Sequence, residues 1–343
     1  MTLFFNNDYS RGAHPKVIEK ILETNMQVEL GYGFDSYCSS AKDKIKKSCG
    51  KEDAEIYFLV GGTQTNATVI RSVLKQCEGV IAPDTGHIST HEAGIIEVGG
   101  HKVIELKNYE GKIRAIDVNN YFKNYNKDEI KMHMVRPGMV YITYPTEYGT
   151  LYSKDELKEL YDVCKENNIP LYVDGARLGY GLVARECDMS FNEFANLCDI
   201  FYVGGTKVGA LCGEAIVFSN KSYVPNNFPT LIKQMGGLLA KGRLLGVQFD
   251  ALFTNDLYFK ISKNAINMAN ILKTNLKANN YKFFIDSPTN QQFIILENEK
   301  IKKLQKFINF SIWEDYDENN SVIRLVTDWS TTEEDINKVI KFF

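Results

Sequence analysis

The chain has 343 residues, which is enough for about two domains with a sizeable buried core. Apolar residues make up 44% of it and charged residues 24%, the balance typical of a soluble globular protein. Because the net charge is only −3 and both signs are interspersed, the composition argues against nucleic acid or an anionic membrane as a partner.

The N-terminal residues, MTLFFNNDYSRG, contain neither a basic leader nor an apolar run long enough for a signal peptide. Further along, no run of about 18 apolar residues predicts a membrane span. The seven cysteines are scattered and include no C-x-x-C pair, so neither a disulfide framework nor a bound metal is expected. We therefore expect a cytoplasmic protein with reduced cysteines.

Between residues 54 and 219, short β-rich runs alternate with helical stretches. The predicted strands are Glu55–Val60, Gly79–Ala82, Lys102–Leu106, Met139–Tyr144, Pro170–Asp174, Asp199–Val203 and Gly213–Phe218. Several are continuously apolar, which is typical of strands buried on both faces of a mostly parallel sheet. Capping-box patterns at Ser153–Glu156 and Ser190–Glu193 predict helix starts. The alternation predicts an α/β layered domain.

The last third of the chain has a different pattern. Leu231–Phe259 predicts a long helical stretch that leads out of the first domain. The elements expected after it are a helix over Lys260–Ala278, strands at Tyr281–Ile285 and Gln292–Leu296, a helix over Lys300–Phe307, strands around Ile312 and over Val322–Val326, and a last helix opened by Ser330-Thr-Thr-Glu333. We therefore expect a large α/β domain over residues 1–250, including the N-terminal segment, and a small α+β domain over residues 251–343.

A candidate phosphate site follows the first predicted strand. The sequence Gly61-Gly62-Thr63-Gln64-Thr65-Asn66 joins this strand to a helix expected to begin near Asn66. Such a turn leaves backbone N–H groups and the positive end of a helix dipole facing one point, which suits a phosphate. The alternative is an ordinary strand–helix turn with Thr63 or Thr65 as the N-cap. The turn matches neither a P-loop nor G-x-G-x-x-G, so it does not indicate a nucleotide.

Charged residues follow two later strands. Asp174 ends a predicted strand, and Arg177 stands three residues on. At the carboxyl edge of an α/β sheet, such an acid can hold a cationic ring nitrogen and such an arginine can bind a carboxylate. The alternative is a local Asp174–Arg177 ion pair or an Asx-turn. Lys207 follows a Gly-Gly turn one βαβ unit later, where partial desolvation would lower its pKa and suit Schiff-base chemistry.

Five motifs in order resemble the threonine aldolase family, which belongs to the β-eliminating lyase group of fold-type-I pyridoxal-phosphate (PLP) enzymes. They are Gly61–Asn66, His87–Gly94, Asp174–Arg177, Gly205–Gly209 and Arg324–Thr327. The resemblance implies a PLP-binding large domain with a mostly parallel sheet and a small α+β domain. It also implies a homodimer or homotetramer that cleaves β-hydroxy-α-amino acids to glycine and an aldehyde.

The resemblance assigns roles to particular residues. Gly62 and Thr63 match the phosphate-binding turn, and His87 matches the imidazole that stacks on the pyridine ring. Asp174 matches the acid paired with the ring nitrogen. Lys207 matches the lysine that binds the cofactor covalently.

The substrate carboxylate has its own implied residues. Arg177 and Arg324 match the arginines that hold it, and Asn7 stands where the family has a serine in an R-S-D motif. His91 lies four residues after His87, so on a helix the two would share a face; both a structural role and a proton-transfer role are open to it.

Other functions remain to be weighed. β-Elimination, racemisation and transamination on the same scaffold need the same lysine, aspartate and arginine, so the sequence leaves them open. A nicotinamide dehydrogenase would need a glycine-rich turn with an acid about 20 residues on, which Gly61–Asn66 fits badly. A non-catalytic binding protein would have no need of Asp174, Arg177 and Lys207 together.

Overall fold

The computed structural model describes residues 2–343. Within them, the strands in chain order are β1 Leu3–Phe4, β2 Glu55–Leu59, β3 Glu78–Pro83, β4 Val103–Leu106, β5 Arg136–Thr143, β6 Leu171–Asp174, β7 Ile200–Gly204, β8 Glu214–Phe218, β9 Phe283–Ile285, β10 Gln291–Glu297, β11 Ile308–Asn309, β12 Ser311–Asp315 and β13 Asn320–Val326. The α-helices are α1 Pro15–Thr24, α2 Ser36–Cys49, α3 Gly62–Val73, α4 His87–Thr90, α5 Ile95–Val98, α6 Ala115–Lys127, α7 Lys154–Glu166, α8 Leu178–Leu182, α9 Phe191–Asn196, α10 Phe228–Gln234, α11 Arg243–Leu252, α12 Leu257–Ala278, α13 Asn298–Leu304 and α14 Glu333–Val339. Short 3₁₀ helices cover Lys131–His133, Lys221–Tyr223, Thr254–Asp256 and Ile340–Phe342.

The large core is built on a seven-stranded sheet with the order β2-β8-β7-β6-β5-β3-β4. Each neighbouring pair from β7 to β4 is parallel, whereas β8 runs antiparallel to both of its neighbours. All seven predicted strands are present, within a few residues of their expected ends. The predicted mostly parallel α/β sheet is therefore confirmed.

Both faces of this sheet are buried, which explains the continuously apolar strands. Along β7, Phe201 and Val203 belong to one hydrophobic cluster, and Ile200 and Tyr202 belong to the cluster on the opposite face. Helices α2, α7, α9 and α11 contribute to the first cluster, and α3, α5 and α10 contribute to the second. Because each fully buried large apolar side chain stabilises the fold by about 1.5–3 kcal/mol, a strand covered on both sides has no need of polar alternation.

A four-stranded antiparallel sheet, in the order β12-β13-β10-β9, forms a second core with α13, α14 and the end of α12. Leu272 and Leu276 of α12 belong to this core, while Ile261 and Ala265 of the same helix belong to the large core. The N-terminal strand β1 pairs with β11, and Phe5 packs into the small core. The small antiparallel unit agrees with the predicted fold class, and the domain division at residue 250 stays a prediction.

The long helical stretch predicted over Leu231–Phe259 is wrong. Helix α10 ends at Gln234, and α11 begins only at Arg243, because Gly236 takes a φ of +75°. A second break precedes α12, where Asn255 and Asp256 both have positive φ. Gly236-Gly237 and Asn255-Asp256 are residue types that favour turns, so the sequence carries a signal for both breaks that the prediction did not use.

The N-termini of three helices can be compared with the predicted capping residues. The capping boxes at Ser153 and Ser190 are confirmed, with the side chain of each accepting from the predicted glutamate N–H. The last helix is capped by Thr332 instead, whose partner is Asp335, because the Ser330 hydroxyl donates to Asp328. Within residues 2–343, no helix combines the length and apolarity needed to cross a bilayer.

The helix that follows β2 also starts elsewhere than predicted. Helix α3 begins at Gly62 rather than near Asn66, and its N-cap is Gly61, which has no side chain to cap the helix. Neither Thr63 nor Thr65 serves as the N-cap. The alternative of a side-chain-capped turn is therefore wrong.

Candidate active site

The carboxyl ends of five strands open onto one cavity of about 280 Å³. Parallel strands point the same way, so the residues that follow them share one edge of the sheet. All five residues predicted for the cofactor line the cavity: Gly62 and Thr63 after β2, His87 after β3, Asp174 at the end of β6 and Lys207 after β7. The pairing of β6 with β7 brings Asp174 and Lys207 to one edge, as predicted.

One end of the cavity is the start of α3. The first N–H groups of a helix have no intrahelical partner, and no side chain caps them here. Gln64 turns away from the cavity: its amide oxygen accepts from the Val60 N–H at 3.1 Å and its amide nitrogen donates to the Met235 carbonyl at 3.0 Å. The free N–H groups and the helix dipole make this end suitable for an anion such as a phosphate.

Asp174 lies on the floor of the cavity and is 3% exposed. Its Oδ2 accepts hydrogen bonds from Asn66 at 2.9 Å and from the Tyr141 hydroxyl at 2.7 Å, and its Oδ1 accepts from the Ala176 N–H at 3.0 Å. Burial alone would raise the pKa of Asp174, but the charge of His87 and hydrogen bonds that include those from Asn66 and the Ala176 N–H outweigh it, so the pKa is lowered. The group is therefore a buried carboxylate, which suits a cationic ring nitrogen.

Asn66 connects Asp174 to a second buried acid. Its amide nitrogen also donates to Glu92 at 3.0 Å, and its amide oxygen accepts from the Tyr172 hydroxyl at 2.7 Å. Because the tyrosine holds the oxygen, the nitrogen faces both carboxylates. Asn66 and Glu92 belong to the motifs Gly61–Asn66 and His87–Gly94, but no role was predicted for either.

His87 is held from two sides. Its Nδ1 lies 2.6 Å from Glu92 Oε1, and its backbone N–H donates to Glu147 Oε1 at 2.9 Å. The imidazole stacks on that of His91 with ring centroids 5.6 Å apart and planes 22° apart. Helix α4 ends at Thr90, so His91 lies just outside it and the two histidines do not share a face of one helix. Their rings nevertheless contact each other.

Lys207 stands on a fixed backbone. Its carbonyl accepts from the Tyr180 hydroxyl at 2.6 Å, and the Thr206 hydroxyl accepts from the Gly213 N–H at 3.1 Å. Burial is the main cause that lowers the pKa of Lys207, and the charge of Arg177 adds to it. A lowered pKa raises the fraction of neutral, nucleophilic amine.

Arg177 lines the cavity, but its ion-pair partner is not Asp174. Its Nε and Nη2 donate to Asp8 at 2.7 and 3.0 Å in a buried bidentate pair. Asp8 also accepts from Asn290 at 3.0 Å. The alternative of a local Asp174–Arg177 pair is therefore wrong, because the N-terminal segment supplies the anion.

The other two residues predicted for the substrate lie outside this cavity. The Asn7 side chain accepts from the Tyr9 N–H at 3.0 Å and from the Ser10 hydroxyl at 2.9 Å. Arg324 lines a neighbouring cavity of about 380 Å³, where it donates to Gln291 at 3.1 Å. Burial and the charge of Arg177 lower the pKa of Arg324 to about 10, so the two guanidinium groups interact.

Besides Glu92, two more buried acids of the cavity were not predicted from the sequence. Burial raises the pKa of Glu147 to about 7 and that of Glu214 to about 8. Glu214 Oε2 accepts from the Gly205 N–H at 2.9 Å, and Glu147 Oε2 accepts from the Thr143 hydroxyl at 2.8 Å. A glutamate at the start of the otherwise apolar β8 was the one available signal, whereas Glu147 lies in a loop without any.

Comparison with known proteins agrees with this geometry. The profile of the beta-eliminating lyase family matches residues 11–299. A solved threonine aldolase from Leishmania major is 40% identical and superposes with a TM-score of 0.95, covering 99% of this chain and 98% of that one. A low-specificity L-threonine aldolase from Pseudomonas aeruginosa is 29% identical over 271 residues, which are 78% of this chain and 76% of that protein.

More distant proteins share the fold. The low-specificity L-threonine aldolase of Escherichia coli is 27% identical over 240 residues, covering 68% of this chain and 69% of that protein. A Thermus thermophilus aspartate aminotransferase has 14% identity and a TM-score of 0.68, with coverage of 100% of this chain and 91% of that one. The architecture is that of the fold-type-I PLP enzymes, and the chain belongs to the beta-eliminating lyase family as a member of its threonine aldolase group.

Proposed function

We propose that this protein is a PLP-dependent lyase that cleaves β-hydroxy-α-amino acids, such as threonine, to glycine and an aldehyde. The observation that carries the proposal is the meeting of Asp174, Lys207 and the uncapped start of α3 in one cavity. The names of the similar proteins, low-specificity L-threonine aldolases, support the substrate class.

The residues of the cavity fit the cofactor at three points. The N–H groups of Gly62 and Thr63 would hold its phosphate, and the amine of Lys207 would bind it covalently. The carboxylate of Asp174 would hold its ring nitrogen in the protonated state. When bound, the cofactor supplies an electron sink for the substrate's Cα.

The protein's own task is to choose which bond at Cα breaks. Arg177 would hold the substrate carboxylate, and its orientation is set by the bidentate pair with Asp8. His87 would cover one face of the cofactor ring, at an angle set by its contact with Glu92. A fixed carboxylate decides which Cα bond stands perpendicular to the ring, and that geometry selects the reaction.

Arg324 and Asn7 remain proposed contacts of the carboxylate. Arg324 Nε is buried and has no hydrogen-bond partner within residues 2–343, and a carboxylate between the two arginines would reduce their repulsion. Asn7 precedes the aspartate that pairs with Arg177, so the same segment brings both near the cavity.

Two measurements test this function. The purified protein with PLP should release acetaldehyde and glycine from threonine, whereas pyruvate with ammonia would indicate β-elimination. Borohydride reduction and peptide mapping should place the pyridoxyl group on Lys207. A label on Lys51 or Lys233, or none, would overturn the assignment.

We also propose that the enzyme is a homo-oligomer, at least a dimer. Large apolar side chains between α1 and α2 are mostly exposed, with Val28 99% exposed and Phe34 78% exposed. An apolar surface of this kind usually marks an interface. Sedimentation of an active, stable monomer would contradict the proposal. All seven cysteines are free thiols, which supports a cytoplasmic location.

A further inference from the structure

Glu147 is an acid in the cavity that neither cofactor binding nor carboxylate binding uses. It lies in the loop between β5 and α7 and is 9% exposed. Its Oε1 accepts from the backbone N–H of His87, and its Oε2 accepts from the hydroxyl of Thr143 at the end of β5. Both donors fix the orientation of the carboxyl group.

The position of Glu147 distinguishes it from the other acids. Among the described residues, Glu147 is the one shared by the linings of the active-site cavity and the neighbouring cavity that holds Arg324. If the substrate's amine lies at Lys207 and its carboxylate lies at Arg177, its β-carbon must point toward the remaining part of the cavity. The neighbouring cavity adjoins that part of the active-site cavity at Glu147. The β-hydroxyl group would therefore lie next to the Glu147 carboxyl group.

We propose that the Glu147 carboxylate accepts the proton of the substrate's β-hydroxyl group, an inference that rests on the proposed function. The O–H bond breaks, its proton moves to Glu147, and its electron pair becomes the second bond of the aldehyde carbonyl. The electron pair of the Cα–Cβ bond is left on Cα, for which bound PLP would supply the electron sink. Cα then takes up a proton to give glycine, and Glu147 returns its proton to solvent as the aldehyde leaves.

The electrostatics of Glu147 support this role. Burial raises its pKa to about 7, although the hydrogen bond from Thr143 opposes the rise. A general base works best when its pKa is close to the working pH, because it is then both ionised and basic enough. The titratable and charged groups around it are Asp174 of β6, His87 of α4, Arg177 before α8, and the phenols of Tyr141 and Tyr152.

The other acids are less suited. Glu92 also lines the active-site cavity, but its Oε1 is engaged by both Asn66 and His87, beside the buried Asp174. Glu214 lies beside the Gly205 N–H, at the Lys207 side of the cavity. Neither of them lines the neighbouring cavity.

The test is Glu147→Gln, which keeps the size of the side chain and removes the base. In the PLP-loaded enzyme, kcat/KM for threonine cleavage should fall by about 10²–10⁴-fold. The exchange of glycine's α-proton for deuterium, followed by NMR, should continue, since it involves no β-hydroxyl. Glu52→Gln is the control: it makes the same change at an exposed glutamate outside both cavities and should cleave threonine like the wild type.

A second measurement does not depend on turnover. Because Glu214 titrates at a similar pH, infrared difference spectra are recorded in the Glu214→Gln background, where the band of a protonated carboxyl group should titrate near pH 7. Adding Glu147→Gln to that background should remove the band. Its persistence in the double variant would overturn the assignment.

The kinetics of the variants also test the proposed role of Glu147. Unchanged cleavage in Glu147→Gln would overturn the proposal, and so would equal loss of cleavage and glycine exchange, which would indicate a structural role. His87→Phe keeps an aromatic ring for stacking but removes the basic nitrogen. If His87→Phe lost cleavage and Glu147→Gln did not, His87 would be the base that accepts the β-hydroxyl proton. Failure of the wild type to bind PLP or cleave threonine would instead contradict the proposed function.

Discussion

The two ends of the active-site cavity are built in different ways. The cofactor end consists of residues that directly follow or end strands of one sheet, such as Gly62, Asp174 and Lys207. The carboxylate end combines Arg177 of that sheet with Asp8, which lies 169 positions away, and has Arg324 of the small sheet nearby. The first end depends on strand register within one sheet, and the second on how three parts of the chain pack together.

Their charges differ as well. Asp174 is held by neutral donors, the Asn66 amide and the Tyr141 hydroxyl, so its full charge is available to a ring nitrogen. Arg177 already has an anionic partner, Asp8, in the buried pair. A substrate carboxylate therefore meets an arginine whose charge is partly compensated and whose position is fixed, which favours orientation over tight binding.

The largest expected effect is at the cofactor end. Lys207→Ala removes the amine that would bind PLP covalently, so cleavage should fall by roughly 10⁴-fold or more. The measurements are the absorption spectrum after PLP addition and the rate of acetaldehyde release. A variant that kept wild-type turnover would show that this end of the cavity is not the reactive one.

Arg177→Lys tests the carboxylate end. Lysine keeps the charge but loses the planar fork, so we expect a loss of roughly 2–4 kcal/mol in transition-state stabilisation. PLP occupancy should stay near that of the wild type, because the cofactor contacts lie at the other end. Full occupancy with full turnover would show that Arg177 holds no substrate, whereas loss of PLP would show that the two ends are not independent.

Glu214→Gln tests how burial at the cofactor end affects stability. The folded-state pKa of about 8 exceeds the ordinary value of 4.5, so the stabilisation is complete below 4.5 and is lost as the pH rises through about 8. In the PLP-free protein, the variant should therefore lose less stability than the wild type over this range, with a difference on the order of 5 kcal/mol. Chemical unfolding at several pH values measures it, and parallel curves for the two proteins would refute it.

Asn7→Ala should have the smallest effect. The proposed contact of Asn7 with the substrate carboxylate is a single hydrogen bond from a neutral side chain, which here accepts from Tyr9 and Ser10. Its loss should therefore raise KM for threonine only several-fold, corresponding to about 1 kcal/mol. Steady-state kinetics measure this, and an unchanged KM would contradict the proposed contact.

Local patterns in the sequence determined much of the fold. The seven strands of the central sheet were predictable because runs buried on both faces are continuously apolar. The capping boxes at Ser153 and Ser190 were readable because a cap is formed by residues three apart. Gly62, Asp174 and Lys207 were found for the same reason, since each stands next to the end of such a strand.

Tertiary structure alone decided the partner of Arg177 and the cavity in which Arg324 lies. It also decided the raised pKa values of Glu147 and Glu214, because burial is their main cause and burial depends on segments that are distant along the chain. The local sequence around a carboxyl group next to a strand does not differ between a group surrounded by water and one surrounded by protein. The desolvation that changes its proton affinity arises only when the sheet, its helices and the loops between them have packed around it.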